Sequence, residues 1–294
     1  MKNKDFPGIQ QAADEASNRS QNSYIQLLRA NLLTGVIASL IIIYNFERRE
    51  PKVLIYYMSL GLLIISITLT VIIKYLKFEN IWYQGRALAE SAKTLTWRYI
   101  TCSENYESVL QEHVVETSFI EALQAVQRQF PDLISYMDNG IVVQPAITAK
   151  MNFLRDFKWQ DRLGHYLTFR IQDQINWYSS KAEFNKRKKN FWIWMIILFQ
   201  VLSVLACICL ILWPTTSWNL VGLFTTIAAS AIAWLELKQY QTLIQAYTTA
   251  TMELTLISAI SSSINSEQEF SKFVLDSENA ISREHTMWLA QRRK

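Results

Sequence analysis

The sequence is poor in the residues that interrupt helices. It has only seven glycines and five prolines in 294 residues. Because these residues favour turns and loops, their scarcity predicts long helices with few loops between them. The cysteines are also too few for a disulfide framework, and two of the three lie inside one apolar stretch. We therefore expect Cys102, Cys207 and Cys209 to be reduced packing residues.

The sequence patterns typical of enzymes and metal proteins are also missing. The glycines are scattered, and none forms the clustered phosphate-binding loop that precedes a lysine. The three histidines, His113, His165 and His285, are far apart and lack the spacing of metal ligands. No serine stands in a nucleophile-elbow setting. We therefore expect no catalytic site, no metal site and no cofactor, and the dispersed basic residues argue against nucleic-acid binding.

Long hydrophobic runs are what the sequence has in excess. Four stretches that are almost free of charge cover residues 30–46, 53–75, 191–213 and 218–237. Each approaches the about 20 residues that a helix needs to cross a bilayer. Short links join them in pairs, and the polar start of the chain predicts no cleaved signal peptide. The sequence therefore predicts an all-α membrane protein, with four transmembrane helices as two hairpins and long cytoplasmic helical extensions.

Lysine and arginine are distributed unevenly around these stretches. Sixteen of the 29 lie between residues 74 and 189, whereas the two links carry three and none. The positive-inside rule then places both termini and the central segment in the cytoplasm. The densest cluster, just before the third stretch, consists of Lys186, Arg187, Lys188 and Lys189. We interpret it as a topology anchor, with binding of anionic lipid headgroups as the alternative.

The polar segments have helical spacing and suggest a weak internal repeat. A break over residues 138–145 divides a first module, residues 1–145, from a second, residues 146–294. We expect cytoplasmic helices over residues 79–130 in the first module, including one at 106–130 that ends at Pro131. In the second module we expect them over residues 149–189 and 240–290. Ser266 and Glu269 have the spacing of a capping box that opens the last helix.

Polar side chains inside the apolar stretches are the candidate functional residues. An amide near mid-span, as at Gln200, must bond to another helix or face water. Helical spacing places two sets on single faces of the third and second stretches. These side chains, candidates for pore-lining or interhelical contacts, are Gln200, Ser203, Cys207, Ser59, Ser66 and Thr70.

The fourth stretch carries small residues at four-residue spacing, Gly222, Thr226 and Ser230. This pattern predicts a helix-packing face, because small residues let two helix backbones approach closely. Only Lys74 and Glu236 bring charge near the spans, and both lie close to span ends where they can reach water. Because ion-coupled transporters more often carry a buried charge, transport ranks below the other functions.

Three polar stretches resemble parts of a known family. They read DFP at residues 5–7 with QAADEAS at 11–17, RIQDQINWY at 170–178 with KA at 181–182, and ENAISREHTMWLA at 278–290. They resemble the SLATT superfamily, the "SMODS and SLOG-associating two-transmembrane" effector domains of bacteria. The matches span almost the whole chain as a tandem of two modules, and they include no catalytic signature.

The resemblance implies a membrane effector of bacterial conflict systems, in the inner membrane, whose hairpins form pores once infection is sensed. Since the family's sensor is usually a separate or fused nucleotide-related domain and this sequence carries none, we expect a cytoplasmic sensor or nucleotide signal from a partner protein. Four helices enclose too little for a wide pore, so we expect a homo-oligomer in the lipid bilayer. The hypothesis is a pore-forming or membrane-disrupting effector of antiviral defence, gated through its cytoplasmic helices. The alternatives are a non-conducting scaffold or sensor that recruits a cytoplasmic partner and, third, a small-solute transporter.

Overall fold

The computed structural model describes the backbone of residues 1–47 and 49–292 and the side chains of residues 1–47 and 49–282. These residues form an all-α fold without strands, apart from one isolated bridge. The helices are α1 (Gly8–Ile41), α2 (Arg49–Tyr75), α3 (Phe78–Ile100), α4 (Glu112–Gln127), α5 (Asn139–Val142), α6 (Ala149–Arg155), α7 (Trp159–Tyr166), α8 (Asp173–Leu212), α9 (Val221–Lys238), α10 (Tyr240–Ile260) and α11 (Glu267–Arg292). A π-helical segment, Leu167–Gln172, joins α7 to α8.

The apolar helices form two hairpins, α1–α2 and α8–α9, in one compact unit. This unit comprises Asn22–Phe78 and Glu183–Ile244, and we call it the hairpin unit. In each of the four apolar windows, at most 17% is buried within the chain. Their outer surfaces can therefore contact lipid, and the predicted fold class of four membrane-spanning helices is confirmed.

Backbone pairing between the two links makes two of the spans shorter than predicted. The first span ends at Ile41 instead of residue 46, and the fourth begins at Val221 instead of residue 218. The N–H of Asn45 donates to the carbonyl oxygen of Ser217 at 2.7 Å. Similarly, the N–H of Asn219 donates to the backbone of the first link at 2.8 Å. Because these groups are used between the links, they cannot continue a helix.

The other segments, Met1–Gln21, Glu79–Ala182 and Gln245–Lys294, form a second compact unit, which we call the helical unit. Alanines on one face of α1 pack against α3, and the hydroxyl of Ser17 donates to the carbonyl oxygen of Trp82 at 3.0 Å. The core at this contact consists of Ala12, Ala13, Ala16, Ile81, Leu88, Ala89, Leu133 and Met137.

Two predicted helices of this unit are interrupted. Cys102 and Asn105 have φ angles of 54° and 71°, and such left-handed residues end helices. The helix expected over residues 106–130 is therefore wrong in its first turns, since α4 begins at Glu112. The helix expected over residues 149–189 is likewise broken at residues 156–158, between α6 and α7.

The start of the last helix follows the sequence prediction. The hydroxyl of Ser266 accepts a hydrogen bond from the N–H of Glu269 at 3.2 Å. The carboxylate of Glu269 accepts from the N–H of Asn265 at 2.7 Å, one residue before the position that a capping box uses. The predicted N-terminal cap at Ser266 is confirmed.

Each of the two units draws on both halves of the sequence. Compact units and sequence modules are different ways of dividing a chain. The division into modules at residue 145 therefore stays a prediction.

Candidate functional site

Polar groups in the first hairpin bond to one another. The hydroxyl of Ser66 on α2 donates to the amide oxygen of Asn31 on α1 at 2.6 Å, and the Asn31 amide donates to Thr70 at 3.1 Å. The hydroxyl of Ser59 points at the carbonyl oxygen of Ala38, 3.5 Å away. Sequence reasoning missed Asn31, although an amide in an apolar stretch was the signal used for Gln200. These contacts are interhelical, and within one chain they leave no polar group of this cluster without a partner.

The second hairpin has comparable contacts at Ser203. The hydroxyl of Ser203 on α8 lies 3.0 Å from the hydroxyl of Thr225 on α9. Thr225 also donates to the carbonyl oxygen of Val221 in the preceding turn at 2.7 Å. The Ser203–Thr225 pair therefore joins the two helices, one residue away from the predicted Thr226.

Gln200 lies on α8, one turn before Ser203, but its side chain has no such contact. Its side chain is exposed on the hairpin unit, and it makes no hydrogen bond to the described residues. Cys207 and Cys209 further along the helix are exposed as well. An amide at hydrocarbon depth without a partner is costly, so Gln200 needs a bonding partner or water from outside this chain.

The small residues predicted to form a packing face on α9 differ in their surroundings. Gly222 is exposed, and a Cβ added there would meet nothing within 4 Å. Thr226 donates to the carbonyl oxygen of Gly222, which ties it to its own helix. The buried face of α9 consists of Ala228, Ala231 and Trp234. For Gly222, Thr226 and Ser230, the predicted helix packing stays a prediction.

The basic cluster at the start of the third span is exposed, with one exception. Lys186, Arg187 and Lys188 face solvent, and Arg187 lies 3.8 Å from Glu183. Lys189 is half-buried and donates to Gln241 at 2.9 Å. The arrangement suits both of the predicted roles, topology anchor and headgroup binding.

A buried ion pair in the helical unit was not predicted from the sequence. Arg170, in the π-helical segment, makes a bidentate salt bridge to Glu278 on α11, with N–O distances of 2.9 and 2.7 Å. The hydroxyl of Tyr166 donates to the same carboxylate at 3.0 Å, and that of Thr94 donates at 2.8 Å. Both charged side chains are almost fully buried, at 1% and 0% exposure. Such a pair needs hydrogen bonds that offset desolvation; here the two hydroxyl groups supply them to the carboxylate, whereas Nη1 of Arg170 has no partner among the described residues.

A second arginine, Arg162, makes further polar contacts in the same region. Arg162 on α7 donates to the carbonyl oxygen of Thr101 at 3.0 Å and pairs with Glu267 at the start of α11. The neighbouring thiol of Cys102 is buried, and this burial raises its pKa, against a lowering effect of Arg155 and Arg162. The thiol is therefore held in its neutral form. These contacts connect the turn after α3 with α7 and α11.

Metal coordination has no support in this part of the chain. The described residues contain no group of three or more His, Cys, Asp or Glu side chains placed to hold a metal ion. His285 lies outside the described side chains.

The exposed apolar hairpins and the polar contacts between their helices define an integral membrane protein with four spanning helices. Family models agree with this class. The model of SMODS and SLOG-associating 2TM effector domain 3 matches residues 7–163, and that of domain 1 matches residues 166–288. The chain therefore belongs to the SLATT family, as a tandem of two such effector domains, which is consistent with a membrane effector of conflict systems. No curated protein and no solved structure matches it.

The contacts of the buried ion pair cross the boundary between the two matched domains. Arg170 and Glu278 both lie in the second matched domain, within two of the stretches that carry the resemblance. Thr94, which also bonds to Glu278, lies in the first. The Glu278 carboxylate therefore joins the two tandem domains in one core.

Proposed function

We propose that this protein is a pore-forming or membrane-disrupting effector of an antiviral conflict system, with a path that includes the Gln200 edge of α8. The exposed and unpartnered amide of Gln200 is the observation that carries the proposal. In the first hairpin the comparable amide, Asn31, is satisfied within the chain. Water in a path, or an identical helix beside it, would satisfy Gln200.

Assembly follows from the small number of helices. Four helices pack with little space between them, so a wide path needs several copies around an axis. The exposed edge with Gln200 and the Ser203–Thr225 pair is the part of the second hairpin best suited to that axis. It carries no fixed charge, so the path would be weakly selective or would close by dewetting.

Control would come from the helical unit. Helix α8 runs unbroken from Asp173 to Leu212, so it contains both the turns next to the π-helical segment and Gln200. A signal that displaces the Arg170–Glu278 pair would reach the span through this one helix. We propose that a cytoplasmic sensor or nucleotide signal from a partner protein provides it.

The proposal also includes the location of the protein and its mode of action. We propose that the protein lies in the bacterial inner membrane with both termini in the cytoplasm, as the distribution of lysine and arginine favours. It would act by changing the permeability of the bilayer, without catalysis or a cofactor.

Inducible expression in a bacterial host, with a membrane-potential dye as readout, tests the proposal. Wild-type protein should depolarise the membrane, Gln200→Leu should abolish depolarisation at equal expression, and Gln200→Asn should retain it because an amide remains. Gln26→Leu is the matched control, since Gln26 is also exposed but precedes the predicted span.

Three results would contradict the proposal. Full depolarisation by Gln200→Leu would show that the Gln200 amide does not contribute to the path. If the wild-type protein neither depolarises cells nor releases ions or dye from liposomes, with or without its cognate signal, the non-conducting scaffold becomes the better explanation. Saturable uptake of a single solute would instead indicate a transporter.

A further inference from the structure

Helix α10 has an apolar face that nothing in the described chain covers. Met252, Leu256 and Ile260, at four-residue spacing, are 62%, 70% and 60% exposed. These residues belong to the helical unit, beyond the second hairpin. We propose that this face binds the same face of a second copy of the chain. We call it the α10 face; besides these three apolar residues it includes the uncharged polar side chains of Gln245, Thr248 and Thr249.

The opposite side of α10 is already used for packing within the chain. Tyr247, Ala250 and Leu254 are buried, at three- and four-residue spacing. The Tyr247 ring contacts Trp177 and Tyr178 of α8, with centroid distances of 5.3 and 5.7 Å. Because one side of the helix is occupied in this way, the orientation of α10 is set and its apolar face points outward.

Charge favours an identical chain as the occupant. Over Tyr240–Ile260, Glu253 is the one charged residue, and it lies outside the α10 face. When the same face of two copies meets, a charged side chain on it lies close to an identical charge of the other copy, and the two charges repel. Surface helices of soluble proteins normally carry charge on the outer side, and the α10 face carries none.

Lipid fits this face less well. Helices that lie on a bilayer surface combine an apolar face with lysine and arginine beside it, which contact anionic headgroups. Helix α10 contains neither lysine nor arginine. The basic residues of this part of the chain lie elsewhere, in the exposed cluster before the third span.

The spacing of the face fits a parallel pair of helices. Thr249, Met252 and Leu256 lie at three- and then four-residue spacing, as the successive a, d and a positions of a seven-residue repeat do. A seven-residue repeat keeps one seam facing the partner along a helix pair. Helix α10 follows α9 directly after the left-handed residue Gln239, so every copy in a membrane carries it in the same direction. Confinement to one bilayer raises the local concentration of copies, so a modest face suffices.

The inference names the surface behind the proposed homo-oligomer, and to that extent it rests on the proposed function. Cysteine cross-linking in membranes tests it on the full chain with Cys207 and Cys209 replaced by alanine; Cys102 is buried and stays. Met252→Cys should give a covalent dimer on mild oxidation. Thr117→Cys, on an exposed side of α4, is the matched control and should give at least about tenfold less. Equal yields at both positions, or none at Met252, would overturn the inference.

A charge swap identifies the occupant. With Met252→Cys as reporter, Leu256→Glu and Leu256→Lys should each lower the dimer yield at least about tenfold, because like charges then face each other. Co-expression of the two variants should restore a mixed dimer, which also shows that both still fold. A lipid-bound face would instead tolerate Leu256→Lys alone, and a foreign partner would give no mixed dimer; either outcome would overturn the inference.

The readouts separate this inference from the pore. Cross-linking at Met252 without any depolarisation by wild-type protein would support the α10 face and count against conduction. Depolarisation without cross-linking would support the pore and would overturn the inference that the α10 face binds a second copy.

Discussion

At the scale of single residues, the buried pair of Arg170 and Glu278 carries a large desolvation cost. Two charges leave water completely, and the carboxylate accepts from Arg170, Tyr166 and Thr94. Removing one partner leaves the other charge buried and uncompensated, which is far more expensive than never having buried the pair.

We expect Glu278→Gln to lower the free energy of unfolding by about 3–5 kcal/mol, because the Arg170 guanidinium would stay buried without its counter-charge. Thermal unfolding of the protein in detergent measures this loss. The exposed Arg187–Glu183 pair provides the control, since Glu183→Gln should cost about 0.5 kcal/mol or less. Equal losses in both variants would show that the buried pair is not a stabilising contact.

Cys102 predicts a pH dependence. Burial raises the pKa of its thiol above the value in the unfolded chain, about 8.5. The neutral thiol therefore contributes stability that is complete below that pH and is lost as pH rises past it. We expect the melting temperature to fall as the pH rises past about 8.5, and to fall less in Cys102→Ala. Parallel pH profiles for both proteins would assign the effect to other groups.

At the scale of elements, close approach of α1 and α3 depends on Gly85. A Cβ at this position would come within 2.9 Å of the Ala13 carbonyl oxygen and 3.0 Å of Ser17. Gly164 in α7 offers the contrast, because a Cβ there meets nothing within 4 Å.

We expect Gly85→Ala to destabilise the protein by about 1–3 kcal/mol, because the two helices must move apart. Gly164→Ala should stabilise it by up to about 1 kcal/mol, because alanine is the better helix former. Chemical unfolding followed by circular dichroism compares the two. The same sign for both variants would mean that the approach at Gly85 is not tight.

How far elements could be predicted differs with their environment. The spans followed from apolar length alone, since a bilayer requires about 20 such residues. Their ends did not, because the α1 end and the α9 start depend on hydrogen bonds between links that are far apart in sequence. The turn over residues 101–111 was missed because Cys102 and Asn105 take left-handed conformations that glycine usually marks.

At the scale of the whole molecule, segments from both tandem domains combine in each compact unit. Thr94 and Glu278 illustrate this in the helical unit, since they are bonded although they belong to different matched domains. The two tandem domains therefore share core contacts.

The proposed topology predicts which side of the membrane each surface faces. In a background with Cys207 and Cys209 replaced by alanine, we expect an impermeant maleimide to label Val109→Cys only in inside-out vesicles. Val109 is 89% exposed in the turn before α4. Thr216→Cys, in the exposed link between α8 and α9, should be labelled only in right-side-out vesicles. The reverse pattern would place the termini outside the cytoplasm.

The sequence alone determined the number of spans, their arrangement as two hairpins and the family, because apolar length and local motifs are properties of contiguous residues. The candidate residues divide in the same way. That Gln200 lies in an apolar stretch could be read from the sequence, but that it lacks a partner, while Asn31 has two, depends on which helix lies beside it. The pairing of Arg170 with Glu278, 108 residues apart, and the bare face of α10 likewise exist only after the helices pack, since burial is a property of neighbours in space.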